Sequence, residues 1–591
     1  MEHYRQHWKE MIAGLLERLA TNRQIEGFTL SAEELVAEKP PKPELGDIGF
    51  PMFNVAKKLR MAPPQIAAAA AQLFVESQGT GNSLACPGEL RAVGPYLNVF
   101  LDRATAAEQL VREAASDSWG ASQVLAGKKV MIEFSCPNTN KPLHLGHLRN
   151  NALGESLSRI MKAAGAELKK VNLINDRGIH ICKSMLAYQV YGGGRTPEEE
   201  GLKSDHFVGK YYVMFNRLKE EDPEAEDKAQ ALLQRWEAGD PEVIALWKRM
   251  NGWAVDGIMQ TYRRQQISFD EFHYEHETYK LGKQEVLDGL ARGIFYRDEE
   301  GTIWVNLEDV GLDRKVLLRK DGTSIYITQD IGTAIMRHER WPFDRLIYVV
   351  ASEQQYHFKV LFEVLRRLGH IWASDLHHLS YGLVNLPSGR MKTREGTVVD
   401  ADDLIDELAR LATQEIEAKG RADMVGEISS VAEKIALGAL HYYLLQTSPI
   451  KDMLYNPEQS LSFTGDTGPY IQYMGARSCS ILRKHEEGEG NARHGRFRPE
   501  LLARDGDWQL VRTLLEFPAV TSLAAQSMDP SIMANYAHEV AAAFSTWYRD
   551  NPVLVNEDPD LSATRLELVK VVRATLEKAA WMVCVPFLEV M

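Results

Sequence analysis

The sequence predicts an α/β protein in three parts. An α+β unit spans residues 1–120, a doubly wound parallel sheet spans 121–404, and an all-α bundle spans 405–591. Three observations carry this. A strand, a helix and a second strand follow one another between Lys129 and Asn175, the order of a βαβ unit and so of a parallel sheet. The first 120 residues combine helical periodicity with one β-like run. From about residue 405 the apolar residues recur at helical spacing.

In chain order, helical patterns at 3–21 and 63–75 flank the turn-rich run Lys39-Pro40-Pro41-Lys42-Pro43-Glu44-Leu45-Gly46-Asp47. Tyr96 to Leu101 reads as a strand, and the small, polar residues from Ala115 to Gly127 read as a linker. Lys129 to Phe134 is a short β-rich run. A helix is predicted from about Gly146 to Lys162 with a stop at Gly165, then a strand over 171–175. Leu346 to Val350 is a strand feeding a helix to Leu368, and 379–384 is another strand. Residues 191–260 form the largest candidate insertion. Helices are predicted over 430–447, 467–486, 507–526, 531–548 and 562–580, a bundle.

Composition narrows the function classes. The chain has 591 residues, 45% apolar and 25% charged, as in a folded multi-domain protein. No apolar run reaches the roughly 18 residues of a membrane span. The N-terminal residues form an amphipathic helix, not a signal peptide. The five cysteines are widely spaced without a CxxC pair, so neither zinc nor a disulfide framework is expected, and a reducing cytoplasm fits. The net charge of −14 repels phosphate overall, so a nucleic-acid partner needs a local basic face.

The strongest local feature is Pro137-Asn138, then Lys141-Pro142-Leu143-His144-Leu145-Gly146-His147, between the first strand and first helix of the βαβ unit. Ligands of doubly wound sheets bind at the carboxyl ends of strands beside helix N-termini, where free N–H groups favour phosphate. Gly146 lets a flat ring approach the backbone. His144 and His147 can donate hydrogen bonds to an α-phosphate as charge builds there. The plainer alternatives are a histidine pair that only caps the helix, or one that binds metal. No Cys or carboxylate constellation accompanies the pair, which disfavours metal.

In this context the tetrapeptide resembles the HIGH motif of class I aminoacyl-tRNA synthetases. The second motif of that class, KMSKS, has a degenerate counterpart in Gly389-Arg390-Met391-Lys392-Thr393-Arg394-Glu395-Gly396, with Thr393 in place of the second Lys. The chain resembles the arginyl-tRNA synthetases over nearly its whole length. Glu133 to Asn138 is similar to EFSSPN, and Asn175 to His180 to the NDxG segment. Lys203 to Val213 resembles the insertion motif, Asp321 to Asp330 DGTSxYxTxD, and Glu353 to Phe358 EQxxHF. Gly465 to Tyr473 resembles GNTxPYxQY, and Ser562 to Arg565 the DALR element. Terminal Met591 also follows the family habit.

The resemblance implies a Rossmann-like catalytic domain, an N-terminal domain that touches the tRNA elbow, and a helical anticodon-binding domain. It implies that Glu133, Asp330 and the Tyr326 hydroxyl hold the guanidinium of L-arginine, and that Asn138 and Gln354 orient its α-amino group. Paired carboxylates suit a planar, always-charged fork better than the point charge of lysine. For Asn138 an Asx turn, and for Asp330 a helix cap, are the structural alternatives. His144, Gly146, His147 and His357 are implied to bind ATP, and Lys141 to substitute for the weakened loop of Arg390, Met391, Lys392 and Arg394. Tyr96 and Asn98 stand where the family reads a D-loop adenosine. Tyr470, Tyr473 and Arg477 would face the tRNA; a satisfied strand tyrosine at Tyr96, and core packing of Tyr470 and Tyr473, are the structural alternatives.

The implied reaction is attack of the arginine carboxylate on the α-phosphate of ATP, with Mg²⁺ on the phosphates, then transfer to a terminal ribose hydroxyl of tRNA(Arg). The expected enzyme is a cytoplasmic monomer that needs tRNA even for activation. The sequence departs from the family at Glu275-His276, where Glu-Ser is usual, and at Asp466 in place of Asn. The rival readings are a catalytically silent paralogue and a class I enzyme for lysine or cysteine.

Overall fold

The computed structural model describes residues 1–78, 88–385, 399–418, 420, 426–488, 492–502, 504–555 and 557–591. Arg390, Met391, Lys392 and Arg394 therefore lie outside the described residues. The chain divides into two compact units. One comprises Met1–Ala121, Arg477–Val520 and Glu539–Glu577; the other comprises Ser122–Ala476, Thr521–His538 and Lys578–Met591.

In the first unit, β1 (Ile48–Pro51), β2 (Gly88–Val93) and β3 (Tyr96–Leu101) form an antiparallel sheet with β3 in the middle. Helices α1 (Glu2–Asn22), α2 (Pro63–Gln78) and α3 (Arg103–Ala114) belong to the same unit. Helix α1 buries Trp8, Ile12 and Leu16, spaced i, i+4 and i+8, while β3 buries Leu97 and Val99. Full burial of each such side chain contributes about 1.5–3 kcal/mol. Asp47, in the turn-rich run, accepts hydrogen bonds from Leu101 N and the Trp508 indole. Helix α3, unforeseen in the sequence, starts on the Asp102 carboxylate, which accepts from Thr105 N at 2.8 Å.

In the second unit, β4 (Lys129–Glu133), β5 (Glu167–Ile174), β6 (Glu271–Tyr274), β10 (Arg345–Ala351) and β11 (Leu376–Tyr381) form a parallel sheet in the order β11-β10-β4-β5-β6. The chain moves outward from β4 in one direction through β5, then returns to its other side with β10. The gap between the carboxyl ends of β4 and β10 is therefore the topological switch point, where open α/β sheets bind ligands. The expected strand at 171–175 starts four residues earlier, because Lys129 pairs with Glu167 and the charged start of β5 lies at the rim. The expected strand at 379–384 starts at Leu376, in register with Leu346 of β10, and stops before Gly382.

Helix α4 (Leu145–Ala163) crosses from β4 to β5. It lies so close to the strand end that a Cβ on Gly154 would sit 2.2 Å from Phe134. Helices α5 (Ile179–Tyr191), α6 (Ser204–Glu221), α7 (Ala225–Glu237) and α8 (Pro241–Arg264) form the insertion, packed around Met185, Phe207, Tyr211 and Met250. Edge strand β6 follows. An antiparallel meander of β7 (Tyr296–Arg297), β8 (Ile303–Val305) and β9 (Lys315–Leu318), unforeseen because its strands are so short, leads into α9 (Tyr326–Arg340). Helix α10 (Gln355–Arg367) follows β10; α11 (Ala401–Ala418) and α12 (Ile428–Leu445) open the helical part. The helix expected over 507–526 is two, Asp505–Leu515 and Phe517–Ser527. Pro518 has no N–H and clashes with a continuing helix, but fits the first turn of a new one.

Candidate active site

The loop after β4 is shaped by backbone strain and by one strand-end asparagine. Ser135 and Cys136 have φ of 73° and 46°, uncommon for non-glycine residues. Asn150 of α4 holds this turn: its Oδ1 accepts from Ser135 N, and its Nδ2 donates to Val349 O at 2.8 Å and to the Tyr381 hydroxyl at 3.1 Å. One amide thus joins the ends of β4, β10 and β11. Asn175 donates to Cys136 O at 2.9 Å, and its backbone bonds to Pro137 and Thr139. With the loop fixed by Asn175, Asn138 is exposed; no Asx turn at Asn138 is needed.

His144 and His147 form the N-terminus of α4 and determine each other's tautomer. His144 Nδ1 accepts from Gly146 N at 3.1 Å, and His147 Nδ1 accepts from His144 N at 3.2 Å. Each Nδ1 is spent on a backbone N–H, so a neutral ring carries its proton on Nε2. Burial and Lys141 lower the His144 pKa to about 4, and burial and His144 hold that of His147 well below its ordinary value. Both are neutral donors near pH 7, their ring centroids 4.0 Å apart. The helix-capping alternative is met by both rings, and the cap bonds leave each Nε2–H for a ligand.

Lys141 is half-buried, and this burial lowers its pKa. It lines a cavity of about 300 Å³ with His144, His206, Lys210, Tyr212 and Asp400. The segment that follows the second motif is bound to this site. Leu145 N donates to Val399 O and Ala401 N to Leu143 O, an antiparallel bridge centred on His144 and Asp400. His206 lies 3.3 Å from Asp400, and this contact with that to Asp402 raises its pKa to about 10. Among the described residues, Asp205, His206 and Asp402 bring ligand atoms within 4.8 Å of one another, as a metal site would. The Lys203 ammonium already fills that position, 2.9 Å from Asp205, 2.8 Å from Asp402 and 2.6 Å from Thr261.

The residues expected around a guanidinium do not line one described cavity. Glu133, at the end of β4, is buried and ion-paired to Arg337 of α9. Asp330 lies one turn into α9, so it is not a helix cap; its carboxylate meets His357 Nε2 at 2.6 Å. Tyr326 is 75% exposed and lines a cleft of about 870 Å³ with Arg177, Glu275, Lys283, Arg319 and Gln329. Gln354 is exposed in the turn after β10. In that cleft, burial and Asp176 raise the Glu275 pKa to about 7, against the pull of Arg177. His276, which departs from the family pattern, closes on Asp176 through its backbone N–H at 3.0 Å and Nδ1 at 2.5 Å.

Two buried arginines carry structure that sequence reasoning missed. Arg149 donates to the carbonyls of Gly382, Leu383, Pro449 and Lys451, fastening α4 both to the chain leading into the second motif and to the loop after α12. Arg337 holds Glu133. Each is a charge at a buried helical position, Arg149 at i+5 from His144 and Arg337 at i+7 from Asp330.

The proposed tRNA-facing residues lie elsewhere. Tyr96 packs edge-on against Phe53, 6.0 Å between centroids, while Asn98 is only 4% exposed and is flanked in the sheet by Gly49 and Arg91. Tyr470 and Tyr473 occupy one helix with Arg477. Tyr470 packs on His538, which pairs with Asp466 at 3.1 Å, so this departure from Asn is absorbed locally. Tyr473 lines an apolar cavity of about 240 Å³ with Ile416, Ile435, Phe463 and Met591. Arg477 lies 5.0 Å from the Tyr548 ring. Ser562 and Arg565 bind the preceding loop, at Val553 O and at Pro552 O and Asn551.

Known proteins match this architecture throughout. The family described as tRNA synthetases class I (R), catalytic domain, matches residues 111–456; the DALR anticodon binding domain matches 471–591, and the arginyl tRNA synthetase N terminal domain 6–101. An arginine–tRNA ligase of Treponema denticola is 52% identical over 100% of both chains, and that of Treponema pallidum 52% over 99% of both. The solved Thermus thermophilus arginyl-tRNA synthetase superposes with a TM-score of 0.81 at 28% identity, covering 99% of this chain and 100% of that one. The neutral histidine pair at the sheet's switch point thus stands in a chain that belongs to the arginyl-tRNA synthetase family.

Proposed function

We infer that the chain is an arginine–tRNA ligase. It activates L-arginine with ATP to arginyl-adenylate and transfers the arginyl group to the 3′-terminal adenosine of tRNA(Arg), releasing pyrophosphate and AMP. The observation that carries the mechanism is the pair of Nε2–H donors on His144 and His147 at the helix N-terminus. A neutral donor needs no proton bookkeeping: it meets the α-phosphate as charge builds during in-line attack by the arginine carboxylate. Lys141 neutralises the departing pyrophosphate together with Mg²⁺, which arrives on the ATP, and with the cations Arg390, Lys392 and Arg394 of the loop that also carries Met391. The bridge between Leu143–Leu145 and Val399–Ala401 supports that assignment, because it holds the base of the second-motif segment against the first motif. Positioning and charge do the chemistry, without a covalent enzyme nucleophile.

In this reading Glu133, Asp330 and Tyr326 select the guanidinium, Asn138 and Gln354 hold the α-amino group, and His357 acts on the ATP side through its bond to Asp330. Tyr96 and Asn98 read the tRNA elbow; Tyr470, Tyr473 and Arg477 face the anticodon arm. The proposed division at residue 120 falls near the gap between the N-terminal and catalytic matches, whereas the catalytic match runs on past the proposed division at 404 to residue 456. The enzyme is a cytoplasmic monomer without zinc. Among the described residues, no helix is long and apolar enough to cross a membrane. The test is ATP–pyrophosphate exchange with arginine, lysine or cysteine, with and without tRNA. Arginine alone supports exchange, and only with tRNA; full-rate exchange without tRNA overturns the tRNA requirement, and exchange with lysine overturns the substrate.

A further inference from the structure

Glu133 enters the arginine pocket already paired. Arg337 projects from α9, 2% exposed, and its Nη1 meets Glu133 Oε2. The rest of its guanidinium is fixed from the other side: Nε and Nη2 point at His273 Nδ1, at 3.2 and 3.1 Å. His273 Nε2 in turn lies 3.1 Å from Glu271 Oε1. These contacts set the tautomer, because Nδ1 must accept from the guanidinium and Nε2–H must donate to the carboxylate. Burial and Arg337 hold His273 at about 4, in keeping with a neutral ring. Burial opposes the charge on Arg337, but Glu133 beside it raises its pKa.

The sheet register explains the reach. Glu133 pairs with Val171, and Val171 with Glu271, so these three form one row across β4, β5 and β6. With strands about 4.8 Å apart, the backbones of Glu133 and Glu271 are about 10 Å from each other. Arg337 and His273 fill that span over β5. Arg337 also lies two helical turns beyond Asp330, on the same face of α9.

We propose that Arg337, aimed by His273 and Glu271, is a specificity-determining positioning residue that turns Glu133 from a free carboxylate into a single oriented acceptor for the substrate guanidinium. The inference rests on the reading that Glu133 contacts arginine. Charge balance supports it. Glu133 and Asp330 alone would present two negative charges to a substrate side chain carrying one positive charge. With Arg337 paired to Glu133 the pocket carries one net negative charge, and bound arginine brings it to zero. A buried carboxylate stripped of its partner is costly, and an unaimed one loses the planar match that favours a fork over a point charge.

The test compares wild type with Arg337→Lys, His273→Gln and Glu133→Gln in tRNA-supplemented pyrophosphate exchange, fitting KM for arginine and for ATP separately. Arg337→Lys keeps the charge and loses the fork. It is expected to raise KM for arginine about 10-fold or more, with KM for ATP within about twofold. His273→Gln loses the aiming contact and shifts arginine KM the same way by a smaller factor, about threefold; it decides alone if Arg337→Lys does not fold. Equal shifts in both KM values, or an arginine KM within twofold of wild type in both variants, overturn the proposal. Glu133→Gln separates the two levels. If it raises arginine KM while the other variants do not, Glu133 keeps its role and the proposal falls. If it leaves arginine KM unchanged, the assignment of Glu133 falls and takes the proposal with it.

Discussion

Replacing Asp330 by Asn removes one negative charge from the pocket at almost constant volume. Hydrogen bonds to charged groups contribute about 1.5–3 kcal/mol net. The Asp330 side chain is 32% exposed, so solvent screens its field, and the lower half of that range applies, about 1.5–2 kcal/mol. At about 1.4 kcal/mol per decade, this is a 10- to 30-fold rise in KM for arginine. The amide can still accept from His357 through its oxygen, so the bond that ties α9 to α10 survives and KM for ATP moves by less than about threefold. The assay is arginine-dependent pyrophosphate exchange with saturating tRNA, varying arginine and ATP in turn. An arginine KM within twofold of wild type refutes the reasoning. So does an ATP KM that rises as much as the arginine KM, because Asp330 would then serve the nucleotide through His357.

Other perturbations read other parts of the site. Lys141→Met removes a half-buried cation beside His144; exchange kcat should fall about 100- to 1000-fold while arginine KM holds, measured by steady-state exchange. Arg149→Met strips the donors from four backbone carbonyls and should destabilise by about 3–5 kcal/mol in urea denaturation, with activity lost before unfolding. Stability should also depend on pH in two opposite senses. His144, His273 and His441 have folded pKa values lowered to about 4, mainly by burial, so the unfolded chain binds more protons between pH 6.5 and 4, and stability falls as pH falls through that window. His206 is raised to about 10 by Asp400 and Asp402, so its contribution is complete below pH 6.5 and is lost as pH rises towards 10. Urea midpoints from pH 4 to 10 should therefore pass through a maximum, and replacing His206 with Gln should flatten the alkaline side only.

The sheet's central unit was legible because its signals are local and long. The β4–α4–β5 run has β-rich ends, a 3.6-residue period and a stop at Gly165, and the structure follows it within a few residues. The position of His144 and His147 at a helix N-terminus followed from the same pattern. The meander of β7 to β9 was not legible, since strands of two to four residues carry too little alternation to register. Register was equally hidden: the charged start of β5 belongs to the strand only because β4 lies beside it. In the site, residue types were readable but partners were not. Glu133 and Asp330 stood out as carboxylates, yet that Arg337 holds one and His357 the other depends on helices packing across distant parts of the chain. The tautomers of His144 and His147 likewise follow from backbone N–H groups that α4, once formed, leaves without intrahelical acceptors and places beside the rings.

The most direct measurement of the central claim is charging of bulk tRNA with labelled arginine, lysine and cysteine by the purified chain. The account predicts acid-precipitable arginine on tRNA, dependent on ATP and lost when His144 and His147 are both replaced by Asn, with no lysine or cysteine incorporated. Charging with lysine or cysteine, or no charging with any of the three, would contradict it.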